Sequence, residues 1–312
     1  MRGILRALDE LASPWVESEP ENTAHGVPRT GVVDGMRVVA VFGGGGAKSV
    51  AHVGARRAMA EAGIAPIHYV GTSFGAVMAA ALASGMTHDA LTAALLEPSH
   101  ENVAALDLLA LAKGIFADHL IKPGPLRALI ARLVPAKSFD DLAVPLTVTA
   151  TDLDSGEAVL FGTGSEERGV GLHEALYASC ALPLYYPPAV IDRRRYADGG
   201  LRAVLPLEPA RSIPADLVVA VHVGPGFDEP EPSTPAPRFP PALVRVHGTS
   251  ERIMMAAQVE RAIAAWPDLG TRLIVVRAVH EREATFAVQN VKRYIEAGYR
   301  ETRQALAAQV RG

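Results

Sequence analysis

The chain has 312 residues, 49% of them hydrophobic and 21% charged, enough for one large α/β domain or two small ones around a packed core. A formal net charge of −4 and a pI near 6.2 provide no basic surface able to track a phosphate backbone, so nucleic acid is excluded as an expected partner. The single cysteine, Cys180, cannot close an internal disulfide and no Cys/His spacing matches a zinc site, which points to a reducing, cytoplasmic setting with Cys180 as a small buried residue.

At the start of the chain Ile4, Leu5, Leu8 and Leu11 have helical spacing, interrupted by Arg6, Asp9 and Glu10, which predicts a short amphipathic helix rather than a signal peptide. Residues 18–37 are polar, aperiodic and rich in Pro and Gly, the composition of a linker. The expected division is an N-terminal extension over 1–37 and one main domain over 38–312. Val38 to Phe42 is a continuous apolar run ending in four glycines, the pattern of a buried strand entering a tight turn. Ala51, Val53, Ala55, Ala58 and Met59 then form the apolar face of a helix stopped by Gly63. His68 to Val70 is a second strand and Phe74 to Leu82 a second helix, and two strand–turn–helix units in succession predict a parallel sheet.

Residues 86–137 carry helical spacing (Leu91, Leu95, Leu106, Leu109, Leu126, Ile130, Leu133) broken by Pro98, Gly114, Pro123 and Gly124. They fit core-packing helices, or in part an apolar cap over a lipid-accepting cleft. Pro145–Thr151 and Glu157–Phe161 are predicted strands of a hairpin about Asp154-Ser155-Gly156; Asp152 and Asp154 lack the other ligands of a calcium loop and read as turn residues. Leu217–Val223 and Arg272–Arg277 add two buried strands, with a proline-rich surface loop or flap over 224–241. The longest apolar stretch, Ala76 to Ala83, falls short of the roughly 20 residues that span a bilayer, so a soluble protein is expected. No internal repeat is found.

Three segments carry chemistry. Gly71-Thr72-Ser73-Phe74-Gly75 fits the nucleophile elbow G-x-S-x-G, in which a strained strand-to-helix turn pushes a serine oxygen out of the fold. Glycines are needed there because side chains two residues either side of the serine would collide. Gly248-Thr249-Ser250 is a poor imitation, with Arg252 in place of the second glycine and no strand leading to it. Gly43-Gly44-Gly45-Gly46-Ala47-Lys48-Ser49 is not a phosphate loop, since Phe42 and Ala47 stand where that loop requires glycine, and no acid follows where a dinucleotide fingerprint needs one. It suits an oxyanion loop, which needs only exposed backbone N–H groups at a helix N-terminus. Tyr196-Ala197-Asp198-Gly199-Gly200 is a carboxylate in a glycine-permitted turn, a weak signal by itself.

In that order, glycine loop, G-x-S-x-G and Asp-Gly-Gly resemble the patatin-like phospholipases, lipid acyl hydrolases related to cytosolic phospholipase A2. Ala51-His52-Val53-Gly54 and Ala178-Ser179-Cys180-Ala181-Leu182-Pro183 are also similar to family segments, and the likeness runs over about 38–225. An extra glycine leads the loop, Ser49 replaces a further glycine, and Lys48 occupies a basic position that is often arginine. The resemblance implies a three-layer α/β/α fold with a mainly parallel sheet and a Ser73–Asp198 dyad. It also implies an oxyanion segment of Gly44, Gly45, Gly46 and Lys48, a lipid or long-chain acyl ester substrate, and neither metal nor other cofactor. His52 reads as a packing or supporting residue. His222, His247 and His280 are the candidates for the alternative, a histidine-based triad. An acyltransferase using the same dyad, or a non-catalytic lipid binder, would share the fold. Transient contact with a membrane surface, through the helices of 86–137 or the first short helix, is the expected route to lipid.

Overall fold

The computed structural model describes residues 35–97, 102–108, 118–162, 169–227, 242–266, 270–281 and 288–308. The expected helix at 4–11, the linker up to residue 34, Leu109, and residues 228–241 of the proline-rich loop lie outside them. In chain order the elements are β1 (Val38–Phe42), α1 (Ala51–Glu61), β2 (Pro66–Thr72), α2 (Phe74–Ala83), α3 (His88–Leu96), α4 (Pro123–Leu133), β3 (Leu146–Asp152) and β4 (Ala158–Gly162). There follow α5 (Leu172–Cys180), β5 (Ala189–Ile191), β6 (Arg194–Asp198), α6 (Leu207–Arg211), β7 (Leu217–His222), α7 (Ala242–Ala264), β8 (Arg272–Arg277) and α8 (Val291–Ala308).

The strands form one mixed sheet, hydrogen-bonded in the order β5-β6-β3-β2-β1-β7-β8, with β4 also paired to β3. The β1–β2, β1–β7, β2–β3 and β7–β8 pairs are parallel, while β4, β5 and β6 pair antiparallel. Alternation along the central strands sends side chains to opposite faces. Val38, Ala40 and Phe42 join a large core with α1, α2, α4, α5 and α8, whereas Val39 and Val41 join a smaller one with α6 and α7. The result is the expected three-layer α/β/α fold.

Leu91, Leu126, Ile130 and Leu133 are buried and Leu95 packs against them, so the core-packing reading of 86–137 holds there; Leu106 instead is exposed, in an isolated bridge with Ile121. The hairpin of β3 and β4 forms with strands one residue later than expected, so Asp154 lies in the turn while Asp152 is the last residue of β3 and braces that turn with its side chain. Its Oδ1 accepts from the Asp154 and Ser155 amides at 2.7 and 3.1 Å, and Arg194 pairs with Oδ2 at 2.5 Å.

Candidate active site

The geometry of the site begins with β3. Thr149 faces Thr72 of β2 and Leu160 of β4, and the next residue, Ala150, faces Asp198 of β6 and Val159 of β4. Since β4 fills one edge of β3, β2 and β6 lie end to end along the other. The last residue of the parallel strand and the last residue of the antiparallel one therefore meet at adjacent positions of a common neighbour. A buried hydroxyl chain reinforces the junction: Thr72 Oγ1 lies 2.7 Å from Thr149 Oγ1 and donates to the Ala203 carbonyl at 2.7 Å.

Ser73 leaves β2 at φ 54°, ψ −137° and caps α2. A non-glycine residue at this φ costs on the order of 1–3 kcal/mol and persists only where its surroundings impose it. The surroundings are visible: a Cβ on Gly71 would stand 2.5 Å from Ala76 Cα, and one on Gly75 2.4 Å from the Gly43 carbonyl. Either would open the turn. The Ser73 amide donates to Ser179 Oγ at 2.8 Å, a buried support from α5 that fixes the peptide entering the turn. Sequence reasoning noted the segment around Ser179 without giving that hydroxyl a role.

From this turn Ser73 Oγ donates to Asp198 Oδ2 at 2.7 Å, and the Gly200 amide donates to Asp198 Oδ1 at 2.7 Å. Gly199 lets the carboxylate come so close, because a Cβ there would lie 2.4 Å from Thr149 Oγ1. Burial pushes the Asp198 carboxyl up to about 7, against the two hydrogen bonds, which pull it down; the charge of Glu251 on α7 pushes it further up. Cys180 is buried next to the pair, its thiol pushed well above the usual range first by burial and then by the Asp198 charge.

The glycine loop covers Ser73, with a Cβ on Gly44 falling 3.2 Å from Ser73 Cβ. Its donors differ from expectation in two respects. The Gly44 amide is engaged by the Val204 carbonyl at 2.8 Å, so it has no free proton for an oxyanion. Lys48 is buried and its Nζ donates to the Glu281 carbonyl at 2.8 Å, which ties the loop to the segment after β8 and directs the charge there. The amides of Gly45 and Gly46 have no hydrogen-bond acceptor among the described residues.

The histidines hold other places. His52 is buried, stacks on Phe42 with ring centroids 4.5 Å apart, and bonds through Nε2 to the Gly43 carbonyl at 2.8 Å; burial lowers it to about 4, so the ring is neutral and acts as a strut under the loop. His222 is buried at the end of β7 and also held neutral, by burial and then by Arg277 and Lys48. Among the described residues no histidine hydrogen-bonds to Ser73 or Asp198, so no triad forms.

The family model for patatin-like phospholipase matches residues 40–211. The chain belongs to the patatin-like phospholipase family. An uncharacterized NTE family protein of Mycobacterium tuberculosis is 31% identical over 187 residues, covering 60% of this chain and 49% of that protein. Patatin-like phospholipase domain-containing protein 6 of Homo sapiens is 30% identical over 207 residues, covering 65% of this chain and 14% of that protein. The chain thus spans about half the length of the mycobacterial relative and a small part of the human one. The crystal structure of VipD from Legionella pneumophila overlaps at a TM-score of 0.44 with 14% identity, covering 97% of this chain and 73% of that one. The patatin-like phospholipase match ends before β7, leaving β7, β8, α7 and α8 beyond it.

Proposed function

We propose that the protein is a serine acyl hydrolase that cleaves long-chain acyl esters of lipids, with Ser73 as nucleophile and Asp198 as the single base. The observation that carries this reading is the 2.7 Å hydrogen bond from a strained serine to a buried carboxylate. An ordinary aspartate is a poor base for a hydroxyl; direct contact and desolvation, both present at Asp198, are what such a base requires. As Ser73 Oγ bonds to the ester carbonyl carbon, its proton passes to Asp198 Oδ2, and the carbonyl oxygen takes up negative charge for which the Gly45 and Gly46 amides are the assigned donors. Collapse of the tetrahedral adduct expels the alcohol, lysolipid or glycerol derivative, which leaves with the proton from Asp198. Water then gives a proton to Asp198 and attacks the acyl-serine, and the fatty acid is released as Ser73 recovers its hydrogen.

The test is covalent labelling by a fluorophosphonate together with hydrolysis of a soluble ester. Labelling of wild type and not of Ser73→Ala is expected; an unlabelled wild-type protein that is folded would end the reading. No helix among the described residues is long and apolar enough to cross a membrane, and lipid would be met at a surface. Exposed Val246, Ile253 and Met254 on α7, with Phe227 after β7, add a third contact face to the two segments favoured by sequence, of which 86–137 exposes Leu96, Leu106 and Leu108. Flotation with phospholipid vesicles should carry the protein upward; retention in the soluble fraction would count against surface docking.

A further inference from the structure

We propose that Glu251, on the inward stripe of α7, is a positioning residue whose charge drives the Ser73 proton onto Asp198. This rests on the reading of Ser73 and Asp198 given above. Glu251, Met255 and Gln258 follow at intervals of four and three, which places them along one side of a helix. Gln258 Nε2 donates to the Leu201 carbonyl at 2.8 Å, and Met255 Cε comes within 3.5 Å of where a Gly200 side chain would begin. That stripe therefore lies on the Gly199–Leu201 turn capped by Asp198, and Glu251 extends it by one helical turn at only 8% exposure.

A carboxylate at a buried helix position is costly where an apolar side chain would pack without penalty. Its partner is His247 on the same helix, with Nε2 3.3 Å from Glu251 Oε1. Burial raises the Glu251 carboxyl while His247 pulls it back, and the Tyr185 phenol also feels the Glu251 charge. Among the described residues, the groups that face Asp198 are Ser73 from the elbow, the Gly200 amide from its own turn, Cys180 from α5 and Glu251 from α7. None of them is a cation. Two neighbouring carboxylates repel, and the repulsion ends when one is protonated. Breaking Ser73 Oγ–H and forming Asp198 Oδ2–H therefore relieves it at the moment the nucleophile is needed.

The pH dependence of kcat/KM for a soluble ester, measured on the full chain, separates this role from a packing role. In Glu251→Gln the acidic limb should move down by about half a pH unit and the plateau fall several-fold, as expected for a weaker base. In Glu251→Asp, which keeps the charge, the limb should stay with wild type. Should the Gln variant fold poorly, Glu251→Met offers an apolar side chain of similar size for a buried position and should show the same downward shift. A neutral variant that is folded and whose limb superimposes on that of wild type overturns the proposal alone, provided fluorophosphonate still labels Ser73. A folded wild-type protein that neither labels nor turns over overturns both readings.

Discussion

In the proposed mechanism Asp198 concentrates both the chemistry and the stability cost of the site in one side chain. Its folded value of about 7 exceeds the ordinary carboxylate value of 3.8, so between these limits the native state holds a proton that the unfolded chain releases. Stability attributable to this group is complete below about pH 4 and is lost as pH rises toward 7, on the order of 4 kcal/mol in all. Catalysis has the opposite requirement, since only the ionised form accepts a proton. Hydrolysis should accordingly rise through a half-maximum near pH 7. Asp198→Asn should lose at least 10³-fold in kcat/KM yet melt at a higher temperature than wild type at pH 8, with the difference vanishing near pH 4; equal melting temperatures at pH 8 would show that the carboxylate is not desolvated. At this scale the sequence was informative about Ser73, Asp198 and the glycines, because such motifs demand particular side chains at fixed spacing. It was silent about the Gly44 amide and the direction of Lys48. Those depend on Val204 and Glu281, residues remote in the chain that no local pattern connects to the loop.

Among the elements, β6 shows how a weak motif acquires a place. Asp-Gly-Gly read as a turn, and the strands before it escaped notice because Asp192-Arg193-Arg194-Arg195 interrupts any alternation of apolar residues. Yet β5 and β6 form a short hairpin, with Asp192 and Arg193 at positive φ in its turn, and the pairing of β6 with β3 delivers Asp198. Gly199→Ala should push β6 from Thr149 by the better part of an ångström. We expect at least a 10²-fold loss in kcat/KM and about 1–3 kcal/mol of stability; a variant with wild-type kinetics would show that the turn tolerates the shift. The strands of the central sheet were legible as unbroken apolar runs, because burial on both faces leaves no polar alternation. Helix α7 was not legible: Arg245, Glu251, Arg252, Glu260 and Arg261 are spread along it, so no clean apolar stripe marks which side turns inward.

On the scale of the whole molecule, the two faces of the sheet divide the work. The larger core holds α1, α2 and α5, which carry the glycine loop, the elbow and Ser179, while the smaller core holds α6 and α7 against the back of the Asp198 turn. A close crossing ties α8 to the first layer: a Cβ on Gly54 would fall 1.8 Å from the Ile295 carbonyl, and one on Gly298 1.9 Å from the Ala51 carbonyl. The junction on β3 has a further consequence. Thr72 and Asp198 are placed by ladder pairing rather than by pliant loops, so slippage of either strand by one step, about 3.4 Å, would turn its side chains to the wrong face. Such an assembly works like a ratchet with a single tooth, engaged or disengaged. On heating, hydrolytic activity and far-ultraviolet ellipticity should then decay along one curve; a protein that falls inactive many degrees before its sheet melts would belong to a softer design.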